Sequence, residues 1–237
     1  MRRPDTSWAR GSAARAVREG LLFGVFSPLM DAYTRCTVSG REHLEAVDPP
    51  VLFVANHSSH MDTPLILRSL PRPWRDRTAV AAAADYFYSR PWLAHAVGLA
   101  FNTVPVERKG AADDAAAELV QLIRQRWSVV VFAEGTRSRD GKVGKLRGGA
   151  AVIASLHGVP IVPVHVGGTH ETMPVGCGWM RRGPGRSRRP VSVAFGPPIQ
   201  ADDGEHRKDV MERVRVFLES QGASTTPVKR APAATRA

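Results

Sequence analysis

Short apolar runs alternate with segments of helical periodicity along most of this chain, and this alternation constrains its fold more than any other feature. The apolar runs predict strands over residues 51–55, 104–106, 128–132, 159–166 and 191–195. Apolar spacing and helix-end signals predict helices over residues 21–30, 65–70, 113–127, 146–157 and 205–221. Alternating strands and helices predict an α/β fold, in which helices flank a central, largely parallel sheet in a single domain.

The sequence leaves the secondary structure of one segment open and predicts the position of another within the sheet. The alanine-rich run 79–84 fits either a strand or a helix. The strand at 159–166 contains two prolines, which cannot donate backbone hydrogen bonds, so we expect it at an edge of the sheet.

The composition divides the chain into three parts. We expect a basic N-terminal segment with an amphipathic helix over 1–35, one main domain over 36–222, and a disordered basic tail over 223–237. Lys and Arg number 33 against 22 Asp and Glu, a formal charge of +11. This excess favours anionic partners such as membrane surfaces, nucleic acid or phosphorylated substrates. Cys36 and Cys177 form no disulfide framework, which indicates a reduced compartment.

The N-terminal segment carries apolar residues at 21, 22, 25, 26 and 29, which fall on one side of a helix that basic residues precede. Such a helix can lie on a membrane interface or pack on the domain, and the pattern fits both. Gly24, Ser27 and Pro28 interrupt the run, which is shorter than the roughly 20 residues of a membrane span. We expect neither a transmembrane span nor a signal peptide.

His57 and Asp62 lie directly after the predicted strand 51–55, where α/β sheets place their ligands. On a helix their side chains would point roughly 140° apart, and on a strand they would lie on opposite faces. Only a turn brings them together, and Ser58 and Ser59 suit a turn. His57 could then accept a proton from a hydroxyl while Asp62 holds its other ring nitrogen.

A simpler interpretation of these two residues is that Asp62 caps the next helix and His57 is a buried polar residue. His60 lies in the same turn and is a weaker candidate for the base. A second pair with the same spacing, His43 and Asp48, precedes two prolines and has no obvious chemistry.

The sequence FAEGTRS at 132–138 follows another apolar run and predicts an anion site. Gly135 lets the backbone approach a ligand closely, and Arg137 can hold a phosphate with two parallel hydrogen bonds. Glu134 would repel a phosphate, so we expect it to orient a basic group or the acceptor's hydroxyl. With Thr136 these residues form the predicted site, although a surface turn with a salt bridge gives the same pattern. A base beside an anion site indicates chemistry on a phosphorylated alcohol.

Six motifs occur in one order over roughly residues 38–200: VSGREHL, NHSSHMD, FNTVPVER, FAEGTRS, GVPIVPVHVGG and VSVAFGPPI. Together they resemble the glycerolipid acyltransferases, the family of lysophosphatidic acid acyltransferase. In this resemblance Arg108 matches an arginine that helps to bind the acceptor phosphate, with Lys109 as the near alternative. Ala133 stands where the family usually has proline, and FNTVPVER is looser than the family's second motif.

The resemblance implies transfer of a fatty acyl chain from acyl-CoA or acyl carrier protein to a lysophospholipid hydroxyl. The expected acceptor is 1-acyl-glycerol-3-phosphate, giving phosphatidic acid, while glycerol 3-phosphate, other lysophospholipids and glycolipids stay open. No cofactor and no metal are expected. The implied location is the cytoplasmic face of the cell membrane, against an anionic lipid surface.

Other functions fit the sequence less well. The chain has no G-x-S-x-G elbow and no phosphate-binding loop ending in Gly-Lys-Ser or Gly-Lys-Thr. The stretch RRGPGRSRR at 181–189 could bind anionic lipid or nucleic acid, or be a solvated loop. Few aromatic residues interleave with these arginines, so nucleic acid is not expected.

Overall fold

The computed structural model describes residues 5–83, 91–106, 112–202 and 205–224. Within them one seven-stranded sheet has the order β1-β7-β6-β2-β5-β3-β4. All neighbouring strands are parallel except β6 and β7, which are antiparallel. The strands are β1 (Thr34–Ser39), β2 (Leu52–Ala55), β3 (Thr78–Ala83), β4 (Thr103–Val106), β5 (Ser128–Phe132), β6 (Ile161–Gly167) and β7 (Arg189–Phe195).

Helices cover both faces of this sheet. The α-helices of the described residues are α1 (Ser12–Leu21), α2 (Ser27–Tyr33), α3 (Asp62–Ser69), α4 (Arg72–Arg75), α5 (Pro91–Phe101), α6 (Ala112–Arg124), α7 (Gly149–His157), α8 (Thr169–Thr172) and α9 (Arg207–Ser220). None of the helices described here is long and apolar enough to cross a membrane. The predicted α/β class with a mostly parallel central sheet is confirmed.

The central strand β2 is buried on both faces, which explains its unbroken apolar sequence. Leu52 and Val54 pack into a core with helices α6, α7 and α9. Phe53 and Ala55 face the opposite core, which contains helix α3 and the N-terminal helical segment. Alternate residues of one strand therefore join two cores on either side of the sheet.

The prediction that residues 159–166 form an edge strand is wrong, because β6 lies between β2 and β7. The carbonyl of Pro163 accepts a hydrogen bond of 2.8 Å from Gly196, directly after β7 ends at Phe195. In a strand the nitrogen and carbonyl of one residue point to the same side, so the missing N–H of Pro163 falls where the pairing with β7 ends. An interior strand can therefore contain this proline.

The alanine-rich run 79–84 forms part of strand β3 over residues 79–83, the part that the structure describes. Strand β3 pairs with β5 on one side and with β4 on the other. Two neighbouring strands favour the extended conformation where the alanines themselves favour neither element.

The N-terminal helical segment begins at Ser12, well before the predicted start at residue 21. It passes through a π-helical turn over Leu22–Phe26 and continues as α2. Pro28 lies just after this turn, and a wide turn accommodates a residue that cannot donate. Leu22 and Met30 are buried in the domain core, so the segment packs on the domain.

Candidate active site

Three neighbouring strands end at the same edge of the sheet and carry the candidate site. Ala55 of β2 pairs with Phe132 of β5 on one side and with Val164 of β6 on the other. Asn56 then bonds the backbone of Val166 twice, donating to its carbonyl at 2.9 Å and accepting from its N–H at 2.8 Å. These bonds fix where the chain leaves β2, one residue before His57.

His57 and Asp62 are joined across a turn, as the sequence predicts. The Nδ1 atom of His57 lies 2.8 Å from Oδ2 of Asp62. The His57 ring stacks on Phe132 with 3.8 Å between ring centroids. Its side chain is 16% exposed while that of Asp62 is fully buried. The pair therefore has a held nitrogen, Nδ1, and a second nitrogen, Nε2, that is not committed to Asp62.

The carboxylate of Asp62 accepts four hydrogen bonds from described residues. Besides the His57 ring, Oδ2 accepts from the backbone N–H groups of Ser58 at 2.7 Å and Ser59 at 2.9 Å. Oδ1 accepts from the hydroxyl of Thr169 at 2.6 Å. Donors directed at both oxygens stabilise a buried carboxylate as the anion, which in turn favours a proton on Nδ1 of His57.

Glu134 connects the motifs NHSSHMD and FAEGTRS through the backbone. Its Oε1 accepts from the N–H of His57 at 3.0 Å, and its Oε2 accepts from the N–H of Gly144 at 2.8 Å. On the other side of the same residue, the carbonyl of His57 accepts from the N–H of Ser138 at 2.8 Å. The FAEGTRS segment thus brackets His57, and both oxygens of Glu134 are engaged with the backbone. Burial raises the pKa of Glu134, and the two backbone donors oppose that rise.

The Glu-Gly-Thr-Arg turn requires its glycine. Gly135 has φ +70°, and a Cβ there would lie 2.8 Å from Nε of Arg147. The side chain of Arg147 therefore covers Gly135, and its Nε donates to the carbonyl of Glu134 at 3.3 Å. Thr136 is exposed beside this turn. The turn consequently presents a second guanidinium, that of Arg147, which the sequence motifs do not single out.

The two histidines of the motif NHSSHMD differ in their electrostatic surroundings. Burial, followed by the nearby charge of Arg137, lowers the pKa of His60 to about 4. Asp62 binds the ring of His57. A histidine that Asp62 orients and whose ring reaches the surface fits the role of base better than His60 does. Arg137 lies close enough to His60 for its charge to act on that ring, which places positive charge beside the turn between His57 and Asp62.

Arg108 lies outside the described residues. Among the residues that the structure describes, no group of three or more His, Cys, Asp or Glu side chains could hold a metal ion. Cys36 and Cys177 are both free.

Thr169 is the residue that sequence patterns miss. It follows the motif GVPIVPVHVGG directly and is separated from Asp62 by more than a hundred residues. The only local signal is its position after two glycines at the end of a strand, where a chain turns next to the ligand-binding edge.

A His–Asp pair with a buried carboxylate lies at the carboxyl edge of an α/β sheet, and the FAEGTRS segment brackets its histidine. This arrangement fits the class of glycerolipid acyltransferases that the motifs predict. The family model described as Acyltransferase matches residues 35–167, more than half of the chain, and the chain belongs to that family. The predicted resemblance is therefore confirmed.

Similar proteins carry a consistent description. The chain is 31% identical over 148 residues to the chloroplastic 1-acyl-sn-glycerol-3-phosphate acyltransferase BAT2 of Brassica napus, covering 61% of this chain and 40% of that protein. It is 31% identical over 198 residues to a 1-acyl-sn-glycerol-3-phosphate acyltransferase of Limnanthes douglasii, covering 81% of this chain and 65% of the relative. The match to LPAT1 of Arabidopsis thaliana spans 39% of that protein's length, so this chain spans well under half of both chloroplastic relatives.

A solved structure resembles almost the whole chain. The crystal structure of the 1-acyl-sn-glycerophosphate (LPA) acyltransferase PlsC from Thermotoga maritima superposes with a TM-score of 0.65 at 27% identity. The superposition covers 96% of this chain and 86% of that chain.

Proposed function

We propose that this chain is an O-acyltransferase that moves a fatty acyl chain onto the free hydroxyl of 1-acyl-glycerol-3-phosphate, giving phosphatidic acid. The donor is acyl-CoA or acyl carrier protein, both of which suit a chain with a formal charge of +11 because both are acidic. The observation that carries the proposal is the 2.8 Å contact between Nδ1 of His57 and Oδ2 of the fully buried Asp62.

The proposed reaction uses His57 as a general base. Since Nδ1 is held by Asp62, Nε2 accepts the proton of the acceptor hydroxyl, and the hydroxyl oxygen attacks the thioester carbonyl carbon. The new ester C–O bond forms, the C–S bond breaks, and the departing thiolate takes the proton from the imidazolium. Asp62 stabilises the transient positive charge on the ring. The reaction requires no acyl-enzyme.

Acceptor binding is assigned to cations near the pair. We propose that Arg137 holds the acceptor phosphate beside the Gly135 and Thr136 turn, with Arg108 as the partner that the family resemblance supplies. Glu134 supports this site by holding the backbone of His57 and Gly144. Fixing the phosphate places the hydroxyl near His57, and such positioning can supply several kcal/mol of the barrier reduction.

The Arg137→Ala variant tests the phosphate assignment. Loss of a charge-assisted hydrogen bond should raise KM for lysophosphatidic acid by roughly 10-fold to 100-fold while kcat falls less. Arg139→Ala is the matched control, because Arg139 is an exposed arginine two positions away. An unchanged KM in Arg137→Ala would remove this residue from the phosphate site.

We further propose that the protein meets an anionic membrane surface, from the cytoplasmic face, through its N-terminal helical segment. Val17, Phe23 and Val25 are exposed apolar side chains on that segment, at 49%, 44% and 52%. The basic stretch 181–189 lies near the end of α2, because Arg182 stacks on Tyr33 with 5.0 Å to the ring centroid. Exposed apolar side chains on a helical segment, with a basic stretch at its end, suit a lipid interface.

Vesicle pelleting tests the membrane proposal. The protein should pellet with vesicles containing phosphatidylglycerol and much less with phosphatidylcholine alone. Replacing Val17 and Val25 by glutamine should weaken pelleting without changing the melting temperature. Equal pelleting of the variant would contradict the proposal, and tight DNA binding without vesicle binding would favour a nucleic-acid role.

The function itself is tested by product analysis. Purified protein is incubated with labelled oleoyl-CoA or oleoyl carrier protein and a panel of acceptors: lysophosphatidic acid, glycerol 3-phosphate, other lysophospholipids and a glycolipid. Phosphatidic acid from lysophosphatidic acid at the highest kcat/KM is the expected result. A higher kcat/KM for another acceptor would keep the chemistry and replace the substrate. No transfer from either donor to any acceptor would refute the proposed function.

A further inference from the structure

The buried carboxylate of Asp62 is held unequally at its two oxygens. Oδ2 accepts from the ring of His57 and from the backbone N–H groups of Ser58 and Ser59. Oδ1 accepts from the hydroxyl of Thr169 at 2.6 Å. The first three donors come from the same turn as Asp62, whereas Thr169 belongs to a different strand end. We propose that Thr169 is a positioning residue that holds the Asp62 carboxylate for His57, a role that rests on the proposed function.

The direction of each hydrogen bond follows from the chemistry of the groups. An ionised carboxylate only accepts, so Thr169 must give its single hydroxyl proton to Asp62. The hydroxyl of Ser58 lies 2.9 Å from Oγ1 of Thr169, and it must therefore donate to Thr169. A directed chain runs from Ser58 through Thr169 to Asp62. Because both residues are buried, water does not readily replace a lost partner.

The fold fixes Thr169 at this point. Gly168 turns the chain after β6 with φ +76°, and a Cβ there would lie 2.2 Å from the carbonyl oxygen of Pro190. Thr169 then begins helix α8 and is fully buried. Thr172 ends the same helix, is equally buried, and donates its hydroxyl to the carbonyl of Gly168 at 2.8 Å. The two threonines differ in partner: one holds Asp62 and the other holds backbone.

Removing the Thr169 hydroxyl should change the proton affinity of the pair. A donor to an anion favours the anion, so its loss makes the His57–Asp62 pair bind a proton more tightly. The acid limb of the pH–rate profile, where the base becomes protonated, should then move to higher pH. Three titratable groups within electrostatic range of the pair are unchanged by the substitution: His60, Glu134 and His165. Arg137, whose charge acts on His60, is also unchanged.

Three variants test the proposal in the full chain. Thr169→Val keeps the shape and loses the donor, and kcat should fall by about tenfold while KM changes by less than about twofold. Its acid limb should move to higher pH. Thr169→Ser restores a hydroxyl and should recover most of kcat and the wild-type limb. Thr172→Val removes an equally buried hydroxyl and should leave the limb where it is.

A second measurement does not depend on turnover. The titration of the His57 ring, followed by NMR of histidine-labelled protein and assigned with a His57→Gln variant, should move to higher pH in Thr169→Val only. If no acyl transfer occurs in any variant but this shift is seen, the proposed function fails and the positioning role stands. Should the valine variant not fold, Thr169→Cys retains a weak donor and should give a smaller shift in the same direction.

Two results would overturn the positioning role. One is a His57 titration and acid limb that are the same in Thr169→Val and wild type. The other is an equal loss of kcat in Thr169→Val and Thr172→Val with no recovery in Thr169→Ser, which would mark Thr169 as a residue that serves only stability.

Discussion

Replacing Asp62 by asparagine removes the charge of the buried carboxylate while leaving its shape. The amide oxygen can take the place of Oδ2, where the donors of His57, Ser58 and Ser59 converge. The amide NH2 then takes the place of Oδ1, and the hydroxyl of Thr169 turns to accept from it. The fold should therefore survive, with a loss of about 1–2 kcal/mol in the free energy of unfolding.

The expected loss of activity follows from the distance between the charges. Nδ1 of His57 and Oδ2 of Asp62 are 2.8 Å apart, which places the centres of charge about 4 Å apart in the imidazolium state. At an effective dielectric constant of about 20 this attraction is worth about 4 kcal/mol. The neutral amide gives up most of it, so kcat should fall by about 10³-fold.

The assay is kcat with labelled oleoyl-CoA and lysophosphatidic acid, together with thermal unfolding of the same samples. Asp31→Asn is the control, because Asp31 is an exposed carboxylate that pairs with Arg68 at the surface; its kcat should be unchanged. A folded Asp62→Asn protein with kcat within about tenfold of wild type would refute the electrostatic reasoning, since about 1.4 kcal/mol would then be the whole contribution of the charge.

Glu134, His60 and Gly168 each make contacts whose loss should change stability or activity. Glu134→Gln places an amide NH2 opposite a backbone N–H, and neither group can accept a hydrogen bond from the other. The free energy of unfolding, measured by chemical denaturation, should fall by about 1–3 kcal/mol. The value of kcat should also fall, because the backbone of His57 is held less firmly. His60 has a pKa of about 4 in the folded protein, against an ordinary value of 6.5. At a pH between these two values, the unfolded chain therefore binds more protons at His60 than the folded chain does. Wild type should therefore lose stability as pH falls through this window, by on the order of 1 kcal/mol more than His60→Gln, after allowance for partial exposure. Gly168→Ala meets the carbonyl of Pro190 at 2.2 Å with φ +76°, and its melting temperature should fall by several degrees or more.

The controls for these variants are residues of the same type in open surroundings. Glu171→Gln changes an exposed acid on α8 and should alter neither stability nor kcat. Gly20→Ala adds a Cβ that has nothing within 4 Å and should leave the melting temperature unchanged or raise it. If the test variants behave like these controls, the assigned contacts do not contribute to stability.

The sequence predicts the central strands well because their physical signal is local. Parallel strands buried on both faces are continuous apolar runs, and the prediction at 128–132 coincides with β5. The prediction of an edge position for the strand that contains Pro163 is wrong because the rule for proline uses only the missing N–H group of that residue. Which side of a strand the missing N–H faces, and where its neighbour ends, depends on the tertiary pairing.

The site divides in the same way between local and distant contacts. The five-residue spacing of His57 and Asp62 and the serines between them are enough to predict a turn that joins the two side chains. The hydrogen bond from Thr169 joins residues 107 positions apart, and no spacing rule reaches that far. Arg147 covers Gly135 because of how the loop folds back, which the motif FAEGTRS does not encode.

The proposed mechanism depends most on His57 as the base, and the most direct test is acyl transfer by His57→Ala beside a matched histidine variant. His43→Ala serves as the match, because His43 and Asp48 repeat the spacing of the proposed pair without its position at a strand end. We expect labelled phosphatidic acid to form with wild type and His43→Ala, while folded His57→Ala forms less by at least about 10³-fold. Product formation by folded His57→Ala at the wild-type rate would contradict this mechanism.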